Sequence, residues 1–531
     1  MTPTHEVTNQ VPPLIDYDVR AADPGLTAAL GAAGVPALPD ELGRLAGSAE
    51  SLEAARSANT FPPRLHTHDA TGHRIDEVEF HPAWHRLMAT AVGHGLHAAP
   101  WADPDPHPHL RRAAGFYTWT QAESGHLCPI SMTYAAVPAL RQEPALAAEF
   151  EHLLSAKHYD PGSRPPATKS GLLAGMSMTE KQGGSDVRTN TTSAVPDGEG
   201  YRLTGHKWFT SAPMNDLFLT LARTPAGMTC FLLPRVLPDG TRNAFHLQRL
   251  KDKLGNRANA SAEIEYDGAW ATRVGAEGRG IAVILSMVSM TRLDCVLGSA
   301  GQLRVALSQA SWHALHRKAF GGTLIQAPAM TAVLADLAVE SWAATATAMF
   351  LADAVDRGRE SLLRLALPVS KFWICKRAVP AIAEALECLG GNGYVEESMM
   401  PRLLRESPLN GLWEGSGNVT ALDALRALRS PAAGEALLAE VSRAAGADPD
   451  LDRALTALKS LLGSADPLSA RRLASLSARL LGASLLIRWA PAPVAALYCR
   501  TRLGQHGDRA FGELPSGFDL KAIVDAVVPP G

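Results

Sequence analysis

The chain has 531 residues, of which 46% are hydrophobic and 19% charged, with a formal net charge of −3. That length exceeds one hydrophobic core and predicts two to four domains of an ordinary globular protein. The charge excludes a whole-chain field that draws nucleic acid or anionic lipid, so any such affinity must be local.

Residues 1–60 open on NQVPPLIDYDVR, an extended arm by its paired prolines, followed by two helical patterns. Residues 61–110 are rich in histidine, but only His81 and His85 stand at H-x-x-x-H spacing, which favours turn and surface histidines over a metal site. The six cysteines are scattered, with no C-x-x-C or metal-ligand spacing. No apolar leader or transmembrane run is visible, so a cytoplasmic protein with reduced thiols is expected. Helical periodicity returns over 111–160. From Gly171 short apolar runs alternate with Gly/Pro/Asp turns, predicting an antiparallel barrel or sandwich to about residue 277. Helices then fill 278–430, with Pro328 and Pro368 as expected breaks, and alanine-rich faces suit a bundle.

Residues 431–531 read as two or three further helices. The window 453–509 holds nine Lys and Arg against Asp466 and Asp508, a local excess of seven. Arginine predominates, which suits bidentate phosphate contacts. Arg471, Arg472, Arg479, Arg500 and Arg502 are the candidates for contacting double-stranded DNA. The alternative is a solvated helical face or a subunit interface. The fold class is α+β: N-terminal arm and helices over 1–170, β domain over 171–277, helical bundle over 278–430 and a basic helical domain over 431–531.

Four stretches carry the chemistry. In LWEGSGN, Glu414 lies between Trp413 and Gly415; a carboxylate beside apolar surface holds its proton more tightly and becomes a usable base. Upstream, Gly390, Gly391 and Gly393 offer backbone that a ligand can approach closely. In MTEKQGGSD, hydroxyls at Thr179 and Ser185 flank two glycines, which suits a ring edge or a diphosphate. Trp208 to Ser211 offer aromatic faces beside hydroxyls, a wall for a flat heterocycle. Arg317 to Gly321, RKAFG, place a cation at a helix end.

Taken in order, T-E-x-x-x-G-S-D, K-W-x-x-[TS], R-x-x-F-G and G-G-x-G-Y followed by W-E-G resemble the acyl-CoA dehydrogenase family. MTEKQGGSDV, RLKDKLGNRANAS, PRLLRE and LWEGSGN are similar to a branch of it, the flavoproteins of the adaptive response to DNA alkylation. The resemblance implies FAD and an acyl-CoA or related thioester. Met178, Thr179, Gly184 and Ser185 match one flavin-contacting loop; Trp208, Phe209, Thr210 and Ser211 match the strand beside the isoalloxazine. Leu412, Trp413, Gly415, Ser416 and Asn418 match the segment on the flavin's far side. Arg317 and Phe320 match positions that reach a neighbouring subunit's flavin, which implies a homo-oligomer, a tetramer. Glu414 matches the catalytic base and Arg292 the arginine that orients it, with Thr291 where some members carry the base instead. Glu387 stands where the family often has Gln, and a negative charge there would repel a diphosphate. The expected function is an FAD-dependent dehydrogenase of the alkylation response that also binds duplex DNA. The alternative is a metabolic dehydrogenase or oxidase of a short or branched acyl thioester with no DNA role.

Overall fold

The computed structural model describes residues 4–36, 41–504, 510–511 and 513–529. Two compact units form: residues 51–116 with 123–294, and residues 1–50 with 117–122 and 295–531. The division falls inside the helix Gly280–His316.

In the first unit the β strands form a closed circuit. Leu217–Thr224 pairs with Gly227–Pro234, then in turn come Ser261–Val274, Gly200–Ser211 and Ser193–Asp197, which bridges back to Leu217–Thr224. Ala174–Ser177 and Phe245–Leu250 flank the circuit. Strand alternation explains how both faces are buried. Leu217, Leu219 and Leu221 pack with the helix Leu127–Leu140, whereas Phe218 joins Phe231, Phe245 and Tyr266 in a second core. The histidine-rich stretch contains an antiparallel hairpin, Arg64–His68 with Arg74–Glu79, which the sequence reading did not anticipate. His85 bonds Tyr159, His109 bonds Tyr134 and His126 bonds Glu123, so these histidines serve the fold.

In the second unit Pro328–Asp356 is the central helix, buried continuously from Leu334 to Ala354. Its many alanines let neighbouring helices approach closely. Glu360–Glu387 packs on it, and Ala470–Trp489 packs on both. Pro328 begins its helix as expected. Pro368 does not break one: it lies with Pro380 inside Glu360–Glu387, where it is buried. The lost backbone hydrogen bond costs about 3 kcal/mol, and burial among neighbouring helices offsets it. Gly390 (φ +59) reverses the chain after this helix, and a Cβ on Gly393 would lie 2.2 Å from the Leu386 carbonyl. At least these two of the three glycines are therefore required by the turn itself rather than by a ligand.

Helix Gly280–His316 is long and apolar enough by composition to cross a membrane, which the sequence reading missed. Yet 61% of its most apolar stretch is buried inside the protein, and it carries Asp294 in a buried pair with Arg112.

Candidate active site

Each unit holds one set of candidate residues. In the barrel unit a buried ion pair fixes the loop after Ala174–Ser177. Glu180 and Lys207 meet at 2.8 Å, both fully buried. Burial alone would raise the Glu180 carboxyl, but Lys207 and hydrogen bonds from Thr191 and Thr192 hold it at about 2. Burial pushes Lys207 down to about 8 against the pull of Glu180. Lys207 also donates to the Leu221 carbonyl, tying the loop to two strands. Further along, the Asn190 amide donates to the Met178 carbonyl and the Trp208 N–H to the Thr179 carbonyl, each at 2.8 Å. A Cβ on Gly184 would lie 2.5 Å from Thr179 Oγ1, so only glycine lets the loop fold back on that hydroxyl. The Thr179 backbone is thus tied to Trp208, with Gly184 packed on the Thr179 hydroxyl. Thr210 is turned inward, where its hydroxyl meets Ser177 at 2.5 Å and braces the strand. Ser211 bonds Ser261. Phe209 stays about half exposed, an open aromatic face. Trp208 is half-buried and holds Lys251 Nζ 3.2 Å from its ring centroid.

In the helical unit Glu414 is half-buried with φ +57. A glutamate in the left-handed region costs on the order of 1–3 kcal/mol and persists only where its neighbours fix it. Trp413 Nε1 donates to Asn410 Oδ1 at 3.1 Å, and Asn410 Nδ2 in turn donates to Ser299 Oγ at 3.2 Å. On the other side the buried Lys371 donates to the Gly415 carbonyl at 2.8 Å. Both flanks of Glu414 are therefore anchored. Leu412 is exposed. Ser416 precedes the helix Gly417–Ala427 without a side-chain cap. Asn418 accepts a hydrogen bond from Arg471. Asn410 and Lys371 escaped the sequence reading, because nothing local marks a residue that acts through a backbone carbonyl or a neighbour's indole.

Strain recurs at the candidate segments. Among the described residues seven other than glycine have positive φ; four are Asn or Asp, which tolerate it, and the others are Ala212, Phe320 and Glu414. Ala212 follows Ser211. Phe320 is fully exposed at the tip of the hairpin Lys318–Ala319 with Gly322–Thr323. The arm braces this hairpin: Asn9 exchanges two 2.9 Å hydrogen bonds with the Lys318 backbone, and Arg317 donates to the Asn9 carbonyl. Arg292 is buried on Gly280–His316, and the adjacent Thr291 hydroxyl bonds the Val288 carbonyl of its own helix.

The DNA candidates divide. Arg502 is 1% exposed and bonds Asp336 at 2.6 Å and Glu340 at 2.9 Å, so it faces protein carboxylates and not a solvent phosphate. Arg500 shares Asp450 with Arg453, and Arg488 bonds Glu440. Those acids lie outside the window 453–509, so counting charge along the sequence overstated the positive field. Arg479 is half-buried, donating to the Arg502 carbonyl at 2.7 Å. Arg471 and Arg472 are exposed. Arg509 lies outside the described residues.

Against known proteins, residues 9–161 match the adaptive response protein AidB N-terminal domain. Residues 175–269 match the acyl-CoA dehydrogenase middle domain, and 278–428 its C-terminal domain. The chain belongs to the acyl-CoA dehydrogenase family. Within it the chain is 45% identical over 522 residues to AidB of Escherichia coli (strain K12), covering 96% of each chain. It is 34% identical to acyl-CoA dehydrogenase family member 11 of Caenorhabditis elegans, over 71% of this chain and 64% of that one. The solved structure of Caenorhabditis elegans ACDH-11 in complex with C11-CoA superposes with a TM-score of 0.84 at 29% identity, covering 95% of each chain. The protein is accordingly an FAD-dependent oxidoreductase acting on CH–CH groups. Its residues fit that cofactor. In the helical unit Lys376 with Arg471, beside Gly417 and Asn418, suits an anionic diphosphate.

Proposed function

We propose that the protein dehydrogenates an acyl-CoA thioester with Glu414 as the base. The supporting observation is the strained, doubly anchored glutamate between Trp413 and Gly415. Bound FAD supplies the hydride acceptor. Glu414 takes the proton from the substrate α-carbon as hydride leaves the β-carbon, so one proton and two electrons depart and a double bond remains. The ACDH-11 complex makes C11-CoA the first substrate to try. Anaerobic mixing with it tests the assignment through flavin bleaching in wild type and in Glu414→Gln.

A homo-oligomer, a tetramer, is proposed with Phe320 at its interface. Phe320 is held out by strained backbone that Asn9 braces, and a second copy of the chain is the proposed cover for its ring. Sedimentation of wild type should give a tetramer and that of Phe320→Asp a smaller species; an unchanged mass for the variant would remove Phe320 from the interface.

A second role is proposed in duplex DNA binding, in keeping with a place in the alkylation response. It rests on the exposed Lys459, Arg471 and Arg472 of the C-terminal helices. Affinity for a random duplex should fall steeply with salt, and Lys459→Ala/Arg472→Ala should flatten the logarithmic slope by about 2. A flat salt response in wild type would leave the metabolic reading, an acyl thioester dehydrogenase or oxidase without a DNA role.

A further inference from the structure

We infer that Arg471, which lies beyond the family's C-terminal domain, is a positioning residue for FAD; the inference rests on the cofactor assignment above. Arg471 Nη1 donates to Asn418 Oδ1 at 2.7 Å. A guanidinium has donors and no acceptor, so the amide oxygen must face it. That orientation fixes the Asn418 side chain with its Nδ2 turned away, two N–H donors presented for an acceptor such as a phosphate oxygen.

The surroundings favour an anion. Arg471 lies over the Phe372 ring, 5.3 Å from its centroid, and Lys376 lies 5.6 Å from the same ring. Burial lowers the Lys376 pKa first, and the positive charges of Arg471 and Lys371 lower it further, with Cys375 opposing. The Lys376 chain passes so close to Gly417 that a Cβ there would meet its Cε at 2.6 Å and its Nζ at 3.1 Å. Two cations that repel each other are thus held against the segment Gly417–Asn418. Such an arrangement is unfavourable in the empty protein and relieved by a bound diphosphate. It also gives the C-terminal region a task unrelated to DNA: it completes the cofactor grip that the family segment begins.

Equilibrium dialysis of the holoenzyme, read by the fluorescence of free flavin, tests this. Arg471→Ala should weaken FAD binding about 10-fold, equivalent to about 1.4 kcal/mol. Arg471→Lys should recover part of that loss, because it keeps the charge without the planar fork. Asn418→Ala should weaken binding similarly, and the double variant should be no worse than the weaker single one, as expected of two groups acting through one contact. Arg471 is exposed, so its variants should keep the wild-type circular dichroism. Wild-type FAD affinity in Arg471→Ala, or strictly additive losses in the double variant, would overturn the inference while the cofactor assignment stands. A wild-type protein that holds no FAD would overturn both.

Discussion

Glu414→Gln should leave the flavin oxidised during anaerobic mixing with C11-CoA, over a period in which wild type bleaches fully. The expected loss in the bleaching rate is about 10²–10⁴-fold, the usual worth of a positioned general base. Glutamine has nearly the same volume and tolerates the left-handed backbone no worse than glutamate. The Trp413–Asn410 bond and the Lys371 bond to the Gly415 carbonyl use no atom of the Glu414 side chain, so both anchors survive. The variant should therefore retain its FAD and its fold and lose proton abstraction alone. Glu414→Asp provides the counterpart. It keeps an acid on a shorter arm and should bleach at an intermediate rate, with the shortfall in proton-transfer geometry. Thr291 is not a ready substitute, because its hydroxyl is already bonded to its own helix. Bleaching of the glutamine variant at the wild-type rate would remove Glu414 from the chemistry.

The sequence revealed most where chemistry and period coincide. Strand alternation marked the barrel, and Glu414 stood out as an acid set between an indole and glycines. Less was legible where a residue answers one distant in the chain. Glu180 and Lys207 both appear in the quoted motifs, T-E and K-W, yet nothing in the sequence says that they pair with each other across 27 positions. The same holds for Asn9, which clamps Lys318 from 309 residues away. The arginine window misled for a related reason. Charge counted along the chain omits the acids that folding brings in, and Asp336, Glu340, Glu440 and Asp450 all come from outside it. Nor does position in a strand reveal that the Thr210 hydroxyl meets Ser177.

Arg502→Met should destabilise the helical unit by about 3–5 kcal/mol, the usual consequence of removing one member of a buried ion-pair group. Asp336 and Glu340 lie one turn apart on the central helix Pro328–Asp356, and like charges at that spacing repel. Arg502 sits between them, and Arg377 also bonds Glu340, at 3.3 Å. Burial would raise the Glu340 carboxyl, but the two arginines outweigh it and leave the pKa below its ordinary value. A carboxyl depressed in this way stabilises the fold above its unfolded pKa, near 4.5, and loses that contribution as pH falls toward the folded value. Without Arg502 only Arg377 opposes the burial of Glu340, so its carboxyl is held down less and the stabilisation present above about pH 4.5 shrinks. The gap between variant and wild type should therefore widen from pH 4.5 to 7 in urea melts followed by circular dichroism. Adding Asp336→Asn and Glu340→Gln to Arg502→Met should recover part of the loss at pH 7, since no uncompensated charge then remains at those positions. The salt dependence of duplex binding should not change in Arg502→Met, because its guanidinium is spent inside the protein. A urea midpoint at pH 7 equal to that of wild type would mean that this group does not hold the C-terminal turn Cys499–Leu503 to the central helix.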